Sequence, residues 1–133
     1  VQQAADAMWL VSTTFGPHTP EQWLALSQAM VRPSPNGGFT LHYDPAIAVP
    51  LRTVTQQSAQ QGEAALWELY DAVPSETLLL RGALSDLLSR QTAEVMTRRG
   101  PKARLVEIEG VGHAPTLIAQ EQIDVVASFL LNP

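Results

Sequence analysis

Two side chains in the last third of the chain have the chemistry of a proton-transfer pair, the carboxylate of Asp86 and the imidazole of His113. Asp86 follows a strand-like run at residues 76–82, and His113 follows a second such run at residues 104–109. An acid after one strand and a histidine after the next is the chain order of the last two members of a Ser…Asp…His relay. In such a relay the acid orients the histidine, which acts as the general base for a nucleophile.

Each of these residues also has a simpler interpretation. Asp86 can cap the following helix or turn, because aspartate favours such positions, and an isolated loop histidine usually has no role. The pair changes this balance, because His113 lies 27 positions after Asp86. One helix and one strand fit in that interval, and such a crossover returns the chain to a neighbouring parallel strand. Both loops then lie at the carboxyl edge of the sheet, where we expect the two side chains to meet.

The order of elements over residues 74–133 is strand, helix, strand, helix, which predicts parallel pairing with right-handed crossovers. The run Leu78-Leu79-Leu80 is apolar on both faces, as in a parallel strand that helices cover from both sides. Glu107 and Glu109 indicate that one face of the second strand is solvated. Ser89 is expected to cap a helix that runs to Arg99 and is stopped by Gly100-Pro101. A final helix is predicted over residues 118–131, with a buried stripe of Ile123, Val126, Ala127 and Leu130.

Residues 1–73 are predicted to form helices with irregular joints. The best-marked helix begins after Thr19, where Thr19 and Gln22 form a capping box and Pro20 suits the first turn. Residues 33–38 form a turn-rich loop. A helix is also predicted at residues 3–12, with Ala4, Ala7, Met8 and Val11 on one stripe. Asp44-Pro45 is predicted to open a short helix. Residues 55–62 are predicted to form a polar helix or a linker, and residues 63–72 an amphipathic helix.

Composition excludes several classes of function. The chain has 133 residues, a net charge of −5 and no cysteine. The acidic balance argues against a nucleic-acid partner, and the lack of thiols removes cysteine nucleophiles and zinc-thiolate sites. His18 and His42 have no partner at a metal-ligand spacing, so we expect no metal and no cofactor. No apolar run is long enough for a membrane helix, and the chain does not open with a basic segment followed by an apolar core. The lack of cysteine fits a cytosolic protein, so we expect a cytoplasmic location.

A family resemblance adds to this interpretation. Residues 66–131 resemble the C-terminal part of bacterial α/β-hydrolases that carry a helical cap, through the pattern Leu-Arg-Gly…Ser-Asp…Gly-x-Gly-His-Ala-Pro-Thr-Leu. The resemblance implies an α/β fold in which two parallel strands with flanking helices form the C-terminal portion of an α/β-hydrolase sheet, preceded by a helical cap segment. It divides the chain into a cap segment and its return at 1–60 and the C-terminal part of the core at 61–133.

The same resemblance implies that Asp86 is the acid and His113 the base, and their neighbours Leu87 and Ala114 are candidate walls of a substrate pocket. Ser85 is not expected to be the nucleophile, because its side chain is predicted to lie on the other side of the loop. No serine has a Gly-x-Ser-x-Gly setting, and the oxyanion-hole segment is absent. The nucleophile, a Ser or less often an Asp or Cys, is therefore expected upstream, and residues 1–133 alone are expected to be inactive.

Two classes of function follow. The first is part of a hydrolase for an ester or related carbonyl compound, with a small-molecule substrate and with the N-terminal half of the same protein as partner. The second is a non-catalytic α/β-hydrolase-like member or fragment that serves protein–protein association or small-molecule binding. Because two strands alone leave an open sheet edge, self-association of a truncated chain is also expected.

Overall fold

The structure is a computed structural model that describes residues 2–10 and 12–131. Helices, short strands and 3₁₀ turns alternate along the chain. The α-helices and strands are α1 Gln2–Trp9, α2 Pro20–Met30, β1 Val31–Pro33, β2 Phe39–Leu41, α3 Gln56–Asp71, β3 Leu78–Gly82, α4 Arg90–Met96, β4 Arg104–Ile108 and α5 Gln120–Leu131, with 3₁₀ turns at Thr13–Phe15, Pro45–Ala48 and Pro50–Thr53.

A small core joins α1 to α2. Ala5, Met8 and Trp23 are buried against each other, and the indole Nε1 of Trp23 donates a 2.8 Å hydrogen bond to the carbonyl of Ala5. The predicted stripe was wrong in part, since Ala5 is buried and Ala7 is exposed. The helix also ends at Trp9, earlier than predicted, and Val11 lies outside the described residues.

The cap of α2 is confirmed in detail. Thr19 Oγ1 accepts a 3.2 Å hydrogen bond from the Gln22 N–H, and Gln22 Oε1 accepts one of 2.9 Å from the Thr19 N–H. The turn at residues 33–38 is confirmed as well, but sequence reasoning missed the hairpin around it. Strand β1 pairs antiparallel with β2, in the register Val31 opposite Leu41. Three-residue strands are too short to show an alternating pattern, which explains the omission.

Helix α3 is continuous from Gln56 to Asp71, so the alternatives at residues 55–62 resolve to a helix. Thr55 caps it, because its hydroxyl accepts from the Ser58 N–H at 3.1 Å. The division of the chain at residue 60 falls inside this helix and stays a prediction. No residue of α3 is buried, and Leu66 and Leu69 are 67% and 68% exposed.

The strand pair predicted near the C-terminus is confirmed. Strands β3 and β4 are parallel, with Leu78 opposite Arg104 and Gly82 opposite Ile108. Helix α4 crosses between them and begins after Ser89, whose hydroxyl accepts from the Thr92 N–H at 3.0 Å. Both carboxyl ends therefore lie at one edge of this sheet. The helix ends at Met96, shorter than predicted.

The predicted face of α5 was wrong in part. Ile123 and Leu130 are 40% and 67% exposed, whereas Gln122 is only 5% exposed. The side chain of Gln122 is held because its Oε1 accepts a 2.9 Å hydrogen bond from the Leu117 N–H. A buried glutamine with a backbone partner is not visible in a hydrophobic period, because the pattern scores it as polar.

Among residues 2–10 and 12–131, no helix has both the length and the apolar character that a bilayer crossing requires.

Candidate active site

The loops that follow β3 and β4 are in direct backbone contact. The Ala83 N–H donates to the Ile108 carbonyl at 2.9 Å, and the Leu84 N–H donates to the Val111 carbonyl at 2.9 Å. Gly82 lies against the carbonyl of Gly112 so closely that a β-carbon at position 82 would overlap it. We call residues 83–88 the acid loop and residues 110–116 the histidine loop. Their contact confirms that the topology brings these two segments together.

The buried side chain of Arg81 binds the backbone of the acid loop. Its side chain is 6% exposed, and its guanidinium donates to three loop carbonyls, those of Leu88 at 2.8 Å, Ala83 at 3.3 Å and Ser85 at 3.4 Å. The same group binds the carboxylate of Glu107 at 2.6 Å. These partners satisfy most of the donors of a buried guanidinium, which is the condition for burying such a charge.

The interpretation of Glu107 as a solvated strand residue was wrong. Its side chain is 23% exposed, and it binds Arg81 and, at 3.2 Å, the Nη2 of Arg90. Arg81 and Glu107 are direct partners in the parallel register. A cross-strand pair of opposite charge is stabilising, but the sequence alone does not give the register that creates it. Glu109 is exposed, as predicted.

The histidine loop is held by the segment between α1 and α2. The Gly112 N–H donates to the Thr14 carbonyl at 2.6 Å. His18 bridges to the loop, with Nε2 2.8 Å from Thr116 Oγ1 and Nδ1 2.8 Å from the Gly16 carbonyl. Because a carbonyl only accepts, Nδ1 of His18 is the donor, and in the neutral ring Nε2 accepts from the Thr116 hydroxyl. Sequence reasoning considered His18 only as a metal ligand and missed this contact between distant segments.

The ring of His113 is exposed, and its Nδ1 lies 3.3 Å from Oγ of Ser85. The Ser85 hydroxyl also accepts a 3.1 Å hydrogen bond from the Leu88 N–H. The prediction that this serine points to the other side of the loop was therefore wrong. In the tautomer in which Nδ1 donates to Ser85, the lone pair of the ring lies on Nε2, where a general base needs it.

Asp86 is exposed, and within the described residues no hydrogen bond joins its carboxylate to His113. The structure thus brings the two loops together and places the neighbour of Asp86, not Asp86 itself, against the ring. The acid role of Asp86 stays a prediction. So do the pocket roles of Leu87, which is 74% exposed, and of Ala114, which is half-buried.

In the part of the chain that the structure describes, no three His, Asp or Glu side chains converge as metal ligands would.

Similar proteins share this arrangement of helices around the parallel strands. An α/β-hydrolase of Novosphingobium aromaticivorans superposes with a TM-score of 0.78 at 32% identity, over 98% of this chain and 45% of that protein. The chain has the fold of part of an α/β-hydrolase. E-2-(acetamidomethylene)succinate hydrolase superposes with a TM-score of 0.71 over 99% of this chain and 45% of that protein, and at 17% identity it shows the fold alone.

Similarity in sequence extends to a protein of named activity. The 3-hydroxybutyrate-oligomer hydrolase of Cupriavidus necator is 43% identical over 122 residues, which cover 90% of this chain. The chain spans 42% of the length of that relative. No model of a protein family matches the sequence. The relatives support hydrolase chemistry, and the α/β-hydrolase resemblance found in the sequence is confirmed.

Proposed function

We propose that this α/β-hydrolase chain belongs to an ester hydrolase in which His113 is the general base. The observation that carries the proposal is the position of the ring, exposed at the carboxyl edge of the sheet with Nδ1 against Ser85 Oγ at 3.3 Å. A partner at Nδ1 fixes the ring orientation and directs Nε2 outward. In this mechanism Nε2 removes the proton of a nucleophile as it attacks the ester carbonyl, and it gives that proton to the alcohol oxygen as the ester C–O bond breaks and the acyl intermediate forms. Nε2 then removes a proton from the water that attacks the acyl intermediate, and it returns this proton to the nucleophile as the acid is released.

Asp86 is proposed as the acid of the relay. It is the residue next to Ser85, so its Cα lies about 3.8 Å from the Cα of the residue that contacts the ring. Catalytic hydrogen bonds are often long or poorly aligned without substrate and tighten in the reacting complex. A carboxylate that approaches the imidazole would stabilise the imidazolium formed during the reaction, which a serine hydroxyl cannot do by charge.

The nucleophile and the oxyanion donors are proposed to lie upstream of these 133 residues. The serines of the chain have no Gly-x-Ser-x-Gly setting. Ser85 contacts Nδ1, the ring nitrogen of the orienting group, rather than Nε2, so its hydroxyl is not where a nucleophile is deprotonated. Residues 1–133 alone are accordingly proposed to be inactive, since acid and base without oxyanion donors stabilise the transition state poorly.

The substrate class is proposed from the Cupriavidus necator relative, whose name assigns it 3-hydroxybutyrate oligomers. Units of such oligomers are joined by ester bonds, which agrees with the ester chemistry derived for His113. Leu87 in the acid loop and Ala114 in the histidine loop are proposed to contact the acyl chain. Leu87 offers an apolar surface, 74% exposed, and follows Asp86 directly in the chain.

Hydrolysis of 3-hydroxybutyrate dimer and trimer by the full-length protein tests this function. We expect release of monomer by the wild type and a loss of about 1000-fold or more in kcat for His113→Ala. His42→Ala is the matched control, because His42 is an exposed histidine far along the chain from the site. Equal rates for the wild type and His113→Ala would remove His113 from the mechanism. Activity on a simple aryl ester but not on the oligomers would retain the mechanism and reject the substrate class.

A non-catalytic role in association is the second candidate. The observation in its favour is the apolar surface of α3, where Leu66 and Leu69 are about two-thirds exposed. Proposed partners of this surface and of the β3 edge are the rest of the same protein and a second copy of the chain. Sedimentation of the full-length protein at several concentrations separates the two, because only self-association depends on concentration. A folded protein with neither esterase activity nor a His113-dependent label would favour this second role.

A further inference from the structure

We infer that Arg81 is a positioning residue for the hydrolase reaction, acting through the acid loop together with Glu107. The inference rests on the proposed function, since it assigns a role at the same site. Arg81 touches neither His113 nor, in the proposed mechanism, the substrate. Its effect is to fix where the loop holds the Ser85 hydroxyl and the Asp86 carboxylate relative to the imidazole.

The geometry of the contacts carries the argument. One guanidinium, 6% exposed, bonds to the carbonyls of Ala83, Ser85 and Leu88, which are the beginning, middle and end of the acid loop. Three carbonyls turned toward the same group define the backbone path of the whole loop. The planar fork of arginine supplies donors in several directions at once, whereas the ammonium of lysine is a single point.

The ion pair with Glu107 fixes the guanidinium itself. Nη1 of Arg81 lies 2.6 Å from Glu107 Oε1, and Glu107 is anchored in β4 directly opposite Arg81. The other carboxylate oxygen of Glu107 lies 3.2 Å from Nη2 of Arg90, the first residue of α4. Arg81 therefore lies just before the acid loop in the chain and Arg90 just after it, and both bind the carboxylate of Glu107. Such a pair removes freedom from the loop at each end.

The chemical consequence concerns Ser85 and Asp86. The Ser85 carbonyl is bound by Arg81 while the hydroxyl of the same residue lies 3.3 Å from His113 Nδ1. A shift of this residue moves the partner of the imidazole, and Asp86 follows it in the chain. Misplacement of reacting groups by about 1 Å can cost about 100-fold in rate. Because the acid loop orients the base, the loss is expected in kcat rather than in KM.

The test is steady-state kinetics on an ester substrate that the wild-type full-length protein hydrolyses, with Arg81→Met, Arg81→Lys and Glu107→Gln. Arg98→Met is the matched control, because Arg98 is an exposed arginine just beyond α4. We expect Arg81→Met to lower kcat by about 10- to 100-fold with KM within about threefold. Arg81→Lys and Glu107→Gln should lose less, and Arg98→Met should match the wild type. Circular dichroism and thermal unfolding identify the folded variants.

The outcomes separate the inference from the function on which it depends. A wild type that hydrolyses esters, with folded Arg81 and Glu107 variants of unchanged kcat, would overturn the positioning role alone. The positioning role would also be overturned if kcat falls only in proportion to the fraction of each variant that is unfolded. If Arg81→Met does not fold, the folded variants Arg81→Lys and Glu107→Gln provide the test, and an unchanged kcat in both would overturn the positioning role. A wild type without any His113-dependent esterase activity would instead overturn the proposed function.

Discussion

Oγ of Ser85 lies 3.3 Å from Nδ1 of His113, the ring nitrogen that faces the acid in a nucleophile–histidine–acid relay. The contact joins the loops after two neighbouring parallel strands. Its geometry depends on Arg81, which binds the Ser85 carbonyl from within the fold. Ser85 therefore contributes to the orientation of the His113 ring. Substitutions of Ser85 and of Asp86 separate the contribution of the hydroxyl from that of the adjacent carboxylate.

Ser85→Ala removes the hydroxyl at Nδ1 and the hydrogen bond that this hydroxyl accepts from the Leu88 N–H, and it leaves the loop carbonyls that Arg81 binds. We expect a loss of about 3- to 10-fold in kcat, the effect of one neutral hydrogen bond of about 1 kcal/mol. Esterase kinetics of the full-length protein measure it, and Ser128→Ala, an exposed serine on α5, is the control. Complete loss of activity and of covalent labelling would instead identify Ser85 as the nucleophile.

Asp86→Asn retains the shape of the side chain and removes its charge. If Asp86 orients the imidazole and stabilises the imidazolium, kcat falls by about 1000-fold or more, far beyond the effect of Ser85→Ala. The exposed Asp124→Asn on α5 serves as the control. A smaller loss for Asp86→Asn than for Ser85→Ala would contradict the acid assignment and leave the hydroxyl as the main partner of the ring.

Gly82→Ala tests the contact between the acid loop and the histidine loop. A β-carbon there would overlap the carbonyl of Gly112, so backbone must move and the protein should lose about 2 kcal/mol or more of stability, together with activity. Gly62→Ala is the matched control, because the space around Gly62 in α3 is open and alanine favours helix by about 0.5–1 kcal/mol. Chemical unfolding measures the free energy of unfolding of both variants. Equal stability for the two variants would refute the close approach.

The ion pair between Asp71 and Arg99 predicts that the stability of the fold depends on pH. The hydrogen bond from Arg99 holds the pKa of Asp71 below its ordinary value of 3.8. A carboxyl with a lowered folded pKa stabilises the fold above the unfolded value and loses that contribution as pH falls through the folded pKa. Asp71→Asn should therefore lower the thermal midpoint slightly at pH 7, and the difference should shrink as the pH falls below 3.8 toward the folded pKa of Asp71. A difference that stays constant as the pH falls through this range would exclude this carboxylate as its cause.

The sequence predicts the parts of this molecule that depend on local chemistry. The capping box at Thr19 and the cap at Ser89 follow from residues three positions apart, and the structure has both. The parallel pairing of β3 with β4 follows from the continuous apolar run at Leu78-Leu79-Leu80 and from the length of the crossover. The meeting of the two loops is a consequence of that topology.

Contacts that depend on register or on distant packing could not be predicted in the same way. Arg81 and Glu107 are partners only because the strands align in one register, so each alone has the pattern of an ordinary charged strand residue. The bridge from His18 to Thr116 joins residues 98 positions apart. The orientation of Ser85 depends on the contact between its carbonyl and the guanidinium of Arg81. A pattern of residue types does not reveal this contact.

The measurement that tests the account most directly is fluorophosphonate labelling of the full-length protein, with the modified residue located by mass spectrometry. Wild type, His113→Ala and the control His42→Ala are compared at equal concentration. The account predicts a label on one serine upstream of these 133 residues in the wild type and in His42→Ala, and loss of that label in His113→Ala. A serine labelled equally well in His113→Ala, or no label on well-folded wild type, would contradict the role of His113 as the base of a serine hydrolase.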